Sequence, residues 1–124
     1  MLNNTTKIDK ISAYEDIKIL MTAIKEIRKF YGLTMQSFAL MCDIPAPTYR
    51  ILEKSGKGNV VTLYKLFICL ADKLSIDLNY LTLNHAYPPE LFSIKHQAIK
   101  KAIQENKKSK KERQLEKEQA NWIL

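Results

Sequence analysis

The chain has 124 residues, which is enough for one small domain with an additional segment, and 46% of them are hydrophobic. Its 20 Lys and Arg against 13 Asp and Glu give a formal net charge of +7, which favours a polyanionic partner. No apolar run approaches the ~18 residues of a membrane span. Residues 1–9 also lack the apolar core of a signal peptide, so we expect a cytoplasmic protein.

The first predicted helix begins at a capping box, in which Ser12 accepts from the amide of Glu15 and the Glu15 side chain reaches back. Residues 1–11 are polar, and we expect them to fray. Gly32 suits the left-handed backbone conformation that ends many helices. Between these limits the apolar residues recur at helical spacing: Ile17, Leu20, Ile24, Ile27 and Tyr31.

Two short helices joined by a tight turn are predicted over residues 34–53. Thr34 would cap the first of them. Asp43 stands at the turn, because Asp tolerates left-handed backbone better than most residues, and Ile44 would fill the angle between the helices. The inward faces would be formed by Phe38, Ala39 and Cys42 on the first helix, and by Tyr49 and Leu52 on the second.

Three more helices follow. Thr62 is predicted to cap the fourth and Asp77 the fifth. Residues 84–89 then break the pattern with two prolines and mark a boundary, after which Pro89 and Glu90 suit the first turn of a C-terminal helix. That helix is expected to carry an apolar stripe formed by Leu91, Ile94, Ala98 and Ala102, with Phe92, Ile99 and Ile103 beside it.

The end of the chain is basic and then apolar. Residues 104–114 hold five Lys or Arg and no apolar side chain, which indicates either a solvated face or a contact for phosphates. Trp122, Ile123 and Leu124 then form an apolar end, which is a candidate for docking on the domain, on a second subunit or on another protein.

The paired helices around Asp43, with residues 24–34 before them and residues 66–81 after them, resemble the helix-turn-helix of Cro/CI-type (XRE-like) regulators. The resemblance implies an all-α fold. Residues 1–83 would be a five-helix lambda-repressor-like DNA-binding domain with an extended first helix. Residues 84–124 would be a long, basic C-terminal helical extension, used for dimerisation or as a tail.

The same resemblance implies a function. It indicates a transcriptional regulator that binds double-stranded operator DNA as a homodimer, without a cofactor, and acts as a repressor of a phage, plasmid or other mobile element. An antitoxin that represses its own operon belongs to the same class. The recognition helix would enter the major groove with its N-terminal residues toward the bases. The implied DNA-contacting residues are Thr34 and Gln36 toward a phosphate, Ala46, Pro47, Thr48, Arg50 and Ile51 toward the bases, and Lys54, Lys57 and Asn59 in the following loop.

The predicted recognition face is poor in polar groups, which leaves a second interpretation open. Arg50 is the clear candidate for a bidentate contact to guanine, although it could pair with Glu53 or a phosphate instead. An outward face made of Pro45, Ala46, Pro47 and Ile51 would also suit a protein partner on a helix-turn-helix frame. An RNA-binding function has less support, because the basic tail lacks interleaved aromatic residues that stack on bases.

Cysteine and histidine usage argues against a metal site and against an enzyme. Cys42 and Cys69 fall on predicted inward helix faces, and neither has another Cys or a His at ligand spacing. His85 and His96 are isolated, and the sequence offers no Ser/His/acid, Cys/His or paired-carboxylate arrangement. We therefore expect neither catalysis nor a bound metal.

Overall fold

A long first helix and four shorter helices build the fold, followed by a 3-10 turn and a last helix. The computed structural model describes residues 2–107, with side chains from residue 15 onward. The elements are α1 (Leu2–Phe30), α2 (Met35–Met41), α3 (Ala46–Ser55), α4 (Val60–Asp72), α5 (Leu78–Asn84), the 3-10 turn (Pro89–Leu91) and α6 (residues 94–107). No strand occurs in this part of the chain, so the all-α prediction is confirmed there.

Two further findings concern the described part of the chain as a whole. None of its helices combines the length and the apolar composition needed to cross a membrane. The predicted basic run beyond Lys107 and the apolar end formed by Trp122, Ile123 and Leu124 lie outside the described residues.

The core lies between the second half of α1 and the helices α2 to α5. Its largest fully buried side chains are Met21, Ile24, Ile27, Tyr31, Phe38, Tyr49, Leu52, Leu66, Leu70, Leu74 and Leu81. A hydrogen bond closes this core at one end, where the hydroxyl of Tyr31 donates to the carbonyl oxygen of Leu74 at 2.7 Å. The residue after α1 is thereby joined to the turn after α4.

The start of α1 differs from the prediction. The helix begins at Leu2. The predictions of a capping box at Ser12 and Glu15 and of frayed residues 1–11 are therefore wrong. No Gly or Pro occurs between Leu2 and Phe30, and nothing in that stretch therefore interrupts a helix once it has formed. Ser12 has the residue type of a cap, but the helix simply continues through it.

Capping follows the prediction at two helices and departs from it at a third. The Thr34 side chain accepts from the Ser37 amide at 3.0 Å at the start of α2, and the Asp77 side chain accepts from the Tyr80 amide at 3.2 Å at the start of α5. The predicted cap at Thr62 is wrong, because Asn59 Oδ1 accepts from the Thr62 amide at 2.8 Å. The helix α4 therefore starts earlier than predicted, at Val60.

The predicted left-handed residues are confirmed. Gly32 has a φ of 69° after α1, and Asp43 has a φ of 59° in the turn between α2 and α3. Lys65 on α4 supports that turn, since its Nζ donates to the carbonyl oxygen of Asp43 at 3.0 Å and lies 3.3 Å from the Asp43 carboxylate. Ile44 is buried beside it, as predicted.

Residues after α5 pack against α1. Tyr87 is buried, and the Phe92 ring stacks on Phe30 with 3.8 Å between the ring centroids. His96 is buried as well, with Nδ1 accepting from the Ser93 amide at 2.9 Å and Nε2 2.8 Å from the carbonyl oxygen of Ser75. This arrangement requires the proton on Nε2, so His96 has a structural role between α6 and the α4–α5 turn.

Only part of the predicted apolar stripe of this last segment packs on the core. Pro89 and Glu90 form a 3-10 turn, and α6 starts only at residue 94. Ile94 is 89% exposed, and Ala98 and Ala102 also face solvent. Four predicted members do contact the core, namely Leu91, Phe92, Ile99 and Ile103, and the buried His96, which was not predicted, joins them. Phe92, His96, Ile99 and Ile103 share helical spacing.

Replacing Phe92 by Ala should lower the free energy of unfolding by about 2–3 kcal/mol, because the ring fills the space between Phe30, Tyr31 and Tyr87. Ile94→Ala is the matched control and should change stability by less than ~0.5 kcal/mol, since that side chain faces solvent. Urea denaturation followed by circular dichroism measures both. Equal stabilities for the two variants would contradict the observed packing of residues 85–103 on α1.

Candidate nucleic-acid interface

The helix pair α2–α3 is held at a fixed angle by its buried side chains. The rings of Phe38 and Tyr49 meet edge to face, with 5.3 Å between centroids and an angle of 89°. Ala39 is fully buried, and its carbonyl oxygen accepts from the Ile44 amide at 2.9 Å. The predicted inward faces of both helices are confirmed. The opposite side of α3 is consequently turned outward.

A buried ion pair joins α1 to α3. The Arg28 guanidinium donates to the Glu53 carboxylate through Nη2 at 2.9 Å and through Nε at 3.1 Å, which makes a bidentate contact. Both side chains are at most 10% exposed. Its Nη1 donates to the carbonyl oxygen of Leu33 at 2.7 Å. The hydroxyl of Tyr49 donates to the same Glu53 carboxylate. We call these residues, Arg28, Leu33, Tyr49 and Glu53, the Arg28 clamp.

Protonation in the clamp follows from these contacts. Burial lowers the pKa of Arg28, but hydrogen bonding and attraction to Glu53 outweigh it, so the pKa of the guanidinium lies above its ordinary value. Burial, and then the hydrogen bond to Glu53, raise the pKa of Tyr49. Arg28 is therefore charged and Tyr49 neutral over the ordinary range of pH, which keeps the clamp closed.

The clamp corrects one sequence-based alternative. Glu53 is engaged by Arg28 and Tyr49, so the suggested pairing of Arg50 with Glu53 is wrong. The position of Arg28 in the sequence does indicate a buried ion pair. Arg28 follows Ile24 by four residues and Ile27 by one, so it lies on the buried side of α1, where a charge needs a partner.

One outward stripe on α3 collects several of the predicted contact residues. Pro47, Arg50, Ile51 and Lys54 are spaced i, i+3, i+4 and i+7 and are all exposed, with Ile51 at 56%. We call these four residues the α3 stripe. Arg50 forms no salt bridge within the part of the chain that the structure describes. The stripe therefore presents two cations and two apolar groups to solvent.

The remaining predicted contact residues have different environments. Ala46 and Thr48 are half-buried, and Ala46 packs against the core, so neither is as accessible as the stripe. Thr34 and Gln36 are exposed at the start of α2, although the Thr34 hydroxyl serves as the cap. Lys57 and Asn59 are exposed in the loop after α3, where the Asn59 oxygen caps α4.

Glycine shapes the loop between α3 and α4. Gly56 has a φ of 75° and donates its amide to the carbonyl oxygen of Leu52 at 2.8 Å, which ends α3. A Cβ added to Gly58 would lie 3.1 Å from Leu52 Cδ1, so the loop backbone runs close to the core. Lys54 and Lys57 lie on either side of Gly56, so this turn sets the positions of their backbones.

The two cysteines are buried, as predicted. Cys42 and Cys69 are free thiols, one at the end of α2 and the other on α4, and both border a groove of about 190 Å³. Hydrogen bonding with Cys69, and then burial, raise the pKa of Cys42. Among the described residues, no three His, Cys, Asp or Glu side chains are grouped to hold a metal ion.

Comparison of the chain with protein-family models, with curated proteins and with solved structures gave no match. The candidate interface consists of the Arg28 clamp, which positions α3, and the α3 stripe, which faces away from the clamp.

Removing one partner of the clamp should be costly. Glu53→Met leaves the Arg28 charge buried without its acceptor and should lower the free energy of unfolding by about 3–5 kcal/mol. The double variant Arg28→Met/Glu53→Met should recover part of that loss, because neither charge remains. Chemical denaturation of the two single variants and the double variant measures the coupling.

Glu26→Gln is the control for this cycle. Glu26 lies 3.9 Å from Lys29 on the exposed side of α1, and such a surface pair is worth less than ~1 kcal/mol. If Glu53→Met cost no more than Glu26→Gln, the clamp would not determine the stability of the α1–α3 contact.

Proposed function

We propose that this protein is a sequence-specific DNA-binding transcriptional regulator of the Cro/CI type, with α1 to α5 in a lambda-repressor-like arrangement. One observation carries the proposal. The exposed α3 stripe lies on a helix whose other face, formed by Tyr49 and Leu52, is fully buried, and the Arg28 clamp anchors that helix. A rigidly positioned outward helix with cations is what major-groove binding requires.

In the proposed complex α3 lies in the major groove and α2 crosses the phosphate backbone. Thr34 and Gln36 approach a phosphate from the start of α2. Lys54 and Lys57, at the end of α3 and in the following loop, approach the backbone on the other side of the groove. These cations displace counterions from the DNA, and this displacement supplies most of the affinity.

Sequence preference comes from few groups in this proposal. Arg50 is the polar group of the stripe that can make a bidentate contact to guanine, worth ~1–3 kcal/mol of discrimination. Ile51 and Pro47 present apolar surface that suits the methyl group of thymine. The remaining preference derives from the shape and deformability of the DNA. Bound over a promoter, the protein would act as a repressor by excluding polymerase.

The regulator is proposed to act as a homodimer, so that two copies of α3 reach half-sites ~34 Å apart. Support comes from α4, where Val60, Val61, Tyr64 and Ile68 form an exposed apolar stripe beside the loop that follows α3. Val60 is 81% and Tyr64 65% exposed. Self-association along this α4 stripe would cover it and would leave the α3 stripe open to DNA.

A protein-interaction module is the second candidate function. The observation that favours it is the apolar part of the outward surface on α3, in which Pro45, Pro47 and Ile51 are exposed. Under this alternative, a protein partner would be lost on Ile51→Asp, and the full-length chain would bind no duplex DNA at any salt concentration. A gel shift with DNA that flanks the gene, repeated over a salt series, separates the two.

Arg50→Ala should weaken binding to the preferred duplex by about 1–3 kcal/mol and relax the base preference at one position. Fluorescence anisotropy with duplexes selected from a random pool measures both effects. Arg50→Lys is the matched control: it keeps the charge and the salt dependence but loses the bidentate geometry, so it should also relax the preference. Unchanged affinity and preference in Arg50→Ala would exclude Arg50 from the interface.

The homodimer has its own test. Tyr64→Glu places a charge in the α4 stripe and should shift the protein from dimer to monomer in size-exclusion chromatography with light scattering. Ile94→Glu changes an apolar residue on α6 that is even more exposed than Tyr64 and should leave the dimer intact. A dimer that survives Tyr64→Glu would place the interface elsewhere on the molecule.

A further inference from the structure

The last described turn of α6 lies beside the start of α2. The Lys107 ammonium donates to the carbonyl oxygen of Gly32 at 2.8 Å, and Ile103 packs against the core. A groove of about 310 Å³ separates the two helices, with Leu33, Ser37 and Met41 on one side and Ile103, Asn106 and Lys107 on the other. This end of α6 therefore adjoins the surface where α2 is proposed to cross the DNA backbone.

The position of α6 is fixed at several points along its length. The stacked rings of Phe30 and Phe92 hold the segment that leads into it, and Lys100 lies over the Phe30 ring with Nζ 4.8 Å from the centroid. Ile99 and Ile103 face the core, and Lys107 reaches the turn after α1. The cations on α6 are thus carried at defined places on the body of the domain.

We propose that α6 is a second contact for the phosphate backbone of duplex DNA, made by Lys107 next to the contact of α2. This inference rests on the proposed DNA-binding function and adds to it a partner surface outside the helix-turn-helix. Lys107 contacts Gly32, which precedes Thr34 by two residues, or at most ~7 Å of chain. Because each DNA strand carries a phosphate every ~3.4 Å along the axis, a strand that meets Thr34 offers its neighbouring phosphates to Lys107.

The chemistry of Lys107 allows both contacts at once. A lysine ammonium has three N–H donors, and the Gly32 carbonyl accepts from one of them. The other donors are available to phosphate oxygens, while the bond to Gly32 holds the long side chain in place. Such preorganisation reduces the side-chain entropy lost on binding.

The surrounding charge favours the same partner. Residues 94–107 hold four Lys (Lys95, Lys100, Lys101 and Lys107) against Glu105, and residues 108–113 add four Lys or Arg against one Glu in the sequence. Residues 1–83, which include the helix-turn-helix, carry 11 Lys and Arg against 8 Asp and Glu. The excess positive charge per residue is therefore higher in residues 94–113 of the sequence than in residues 1–83, which favours a polyanionic partner near Lys107.

The test measures the salt dependence of DNA binding by full-length protein. The probe is a duplex of about 30 base pairs, roughly three helical turns, selected by the wild-type protein from a random pool. Lys107→Ala should reduce the slope of log affinity against log salt by ~0.9, the value for one phosphate contact. The advantage of the wild type over this variant should accordingly shrink ~3.5-fold between about 50 and 200 mM salt.

Two control variants separate charge from structure. Lys107→Arg keeps the charge and should keep the wild-type slope. Lys95→Ala removes the same charge from the other end of α6, ~18 Å away along the helix axis, and should also keep the slope. Thermal unfolding of each variant shows whether the fold has changed. An equal loss of slope in Lys95→Ala, or a loss in Lys107→Arg together with a lowered Tm, would overturn the proposal.

The remaining outcomes distinguish this inference from the proposed function. If Lys107→Ala keeps the wild-type slope while Arg50→Ala relaxes the base preference, the α6 contact is wrong and DNA recognition by α3 stands. If the wild-type protein selects no duplex even at low salt, both proposals fail together.

Discussion

The buried contact between Arg28 and Glu53 is the constraint on which the position of α3 depends. One guanidinium joins three parts of the chain, because it donates to Glu53 on α3 and to the carbonyl oxygen of Leu33 before α2 while remaining on α1. A buried ion pair is weak support for stability, since two apolar side chains of similar volume often serve as well. A planar guanidinium with directed donors does, however, fix orientation in a way that apolar side chains do not. We interpret the Arg28 clamp as the contact that fixes the orientation of α3.

A well-positioned helix discriminates poorly between base pairs when its outward residues have few hydrogen-bonding groups. The α3 stripe contains one guanidinium, one ammonium, one proline and one isoleucine, so its polar readout is limited to Arg50 and Lys54. In the proposed DNA complex, affinity would therefore come mainly from phosphates and sequence preference mainly from methyl groups and DNA shape. Cations placed beyond the helix-turn-helix matter more in such a protein than in one with a polar recognition helix. The proposed α6 contact follows from this requirement as much as from the position of Lys107.

Features decided by neighbouring residues were predictable from the sequence, and features decided by distant partners were not. Local contacts, made within four residues, decide the conformation or capping role of Gly32, Thr34, Asp43 and Asp77. Their residue types were therefore sufficient to predict these roles. The predicted cap at Thr62 was wrong because Asn59, three residues earlier, caps the helix and accepts from the Thr62 amide, which places Thr62 inside α4. The Arg28–Glu53 pair spans 25 residues, and the Phe30–Phe92 stack joins two segments that no local pattern relates. Ile94, Ala98 and Ala102 were wrongly included in the packed stripe for the same reason, since periodicity shows that a face exists but not which neighbour it meets.

The last turn of α1 and the turn after it show why these long-range contacts belong together. Within a few residues, Arg28 holds α3, Phe30 stacks on the segment before α6, and the hydroxyl of Tyr31 bonds to the turn after α4. The carbonyl oxygen of Gly32 then accepts from Lys107 at the end of α6. A displacement of this one turn would therefore move α3 and α6 together, and the two proposed DNA contacts would change together. Residues 85–107 are thus joined through this turn to the same core that holds α2 and α3.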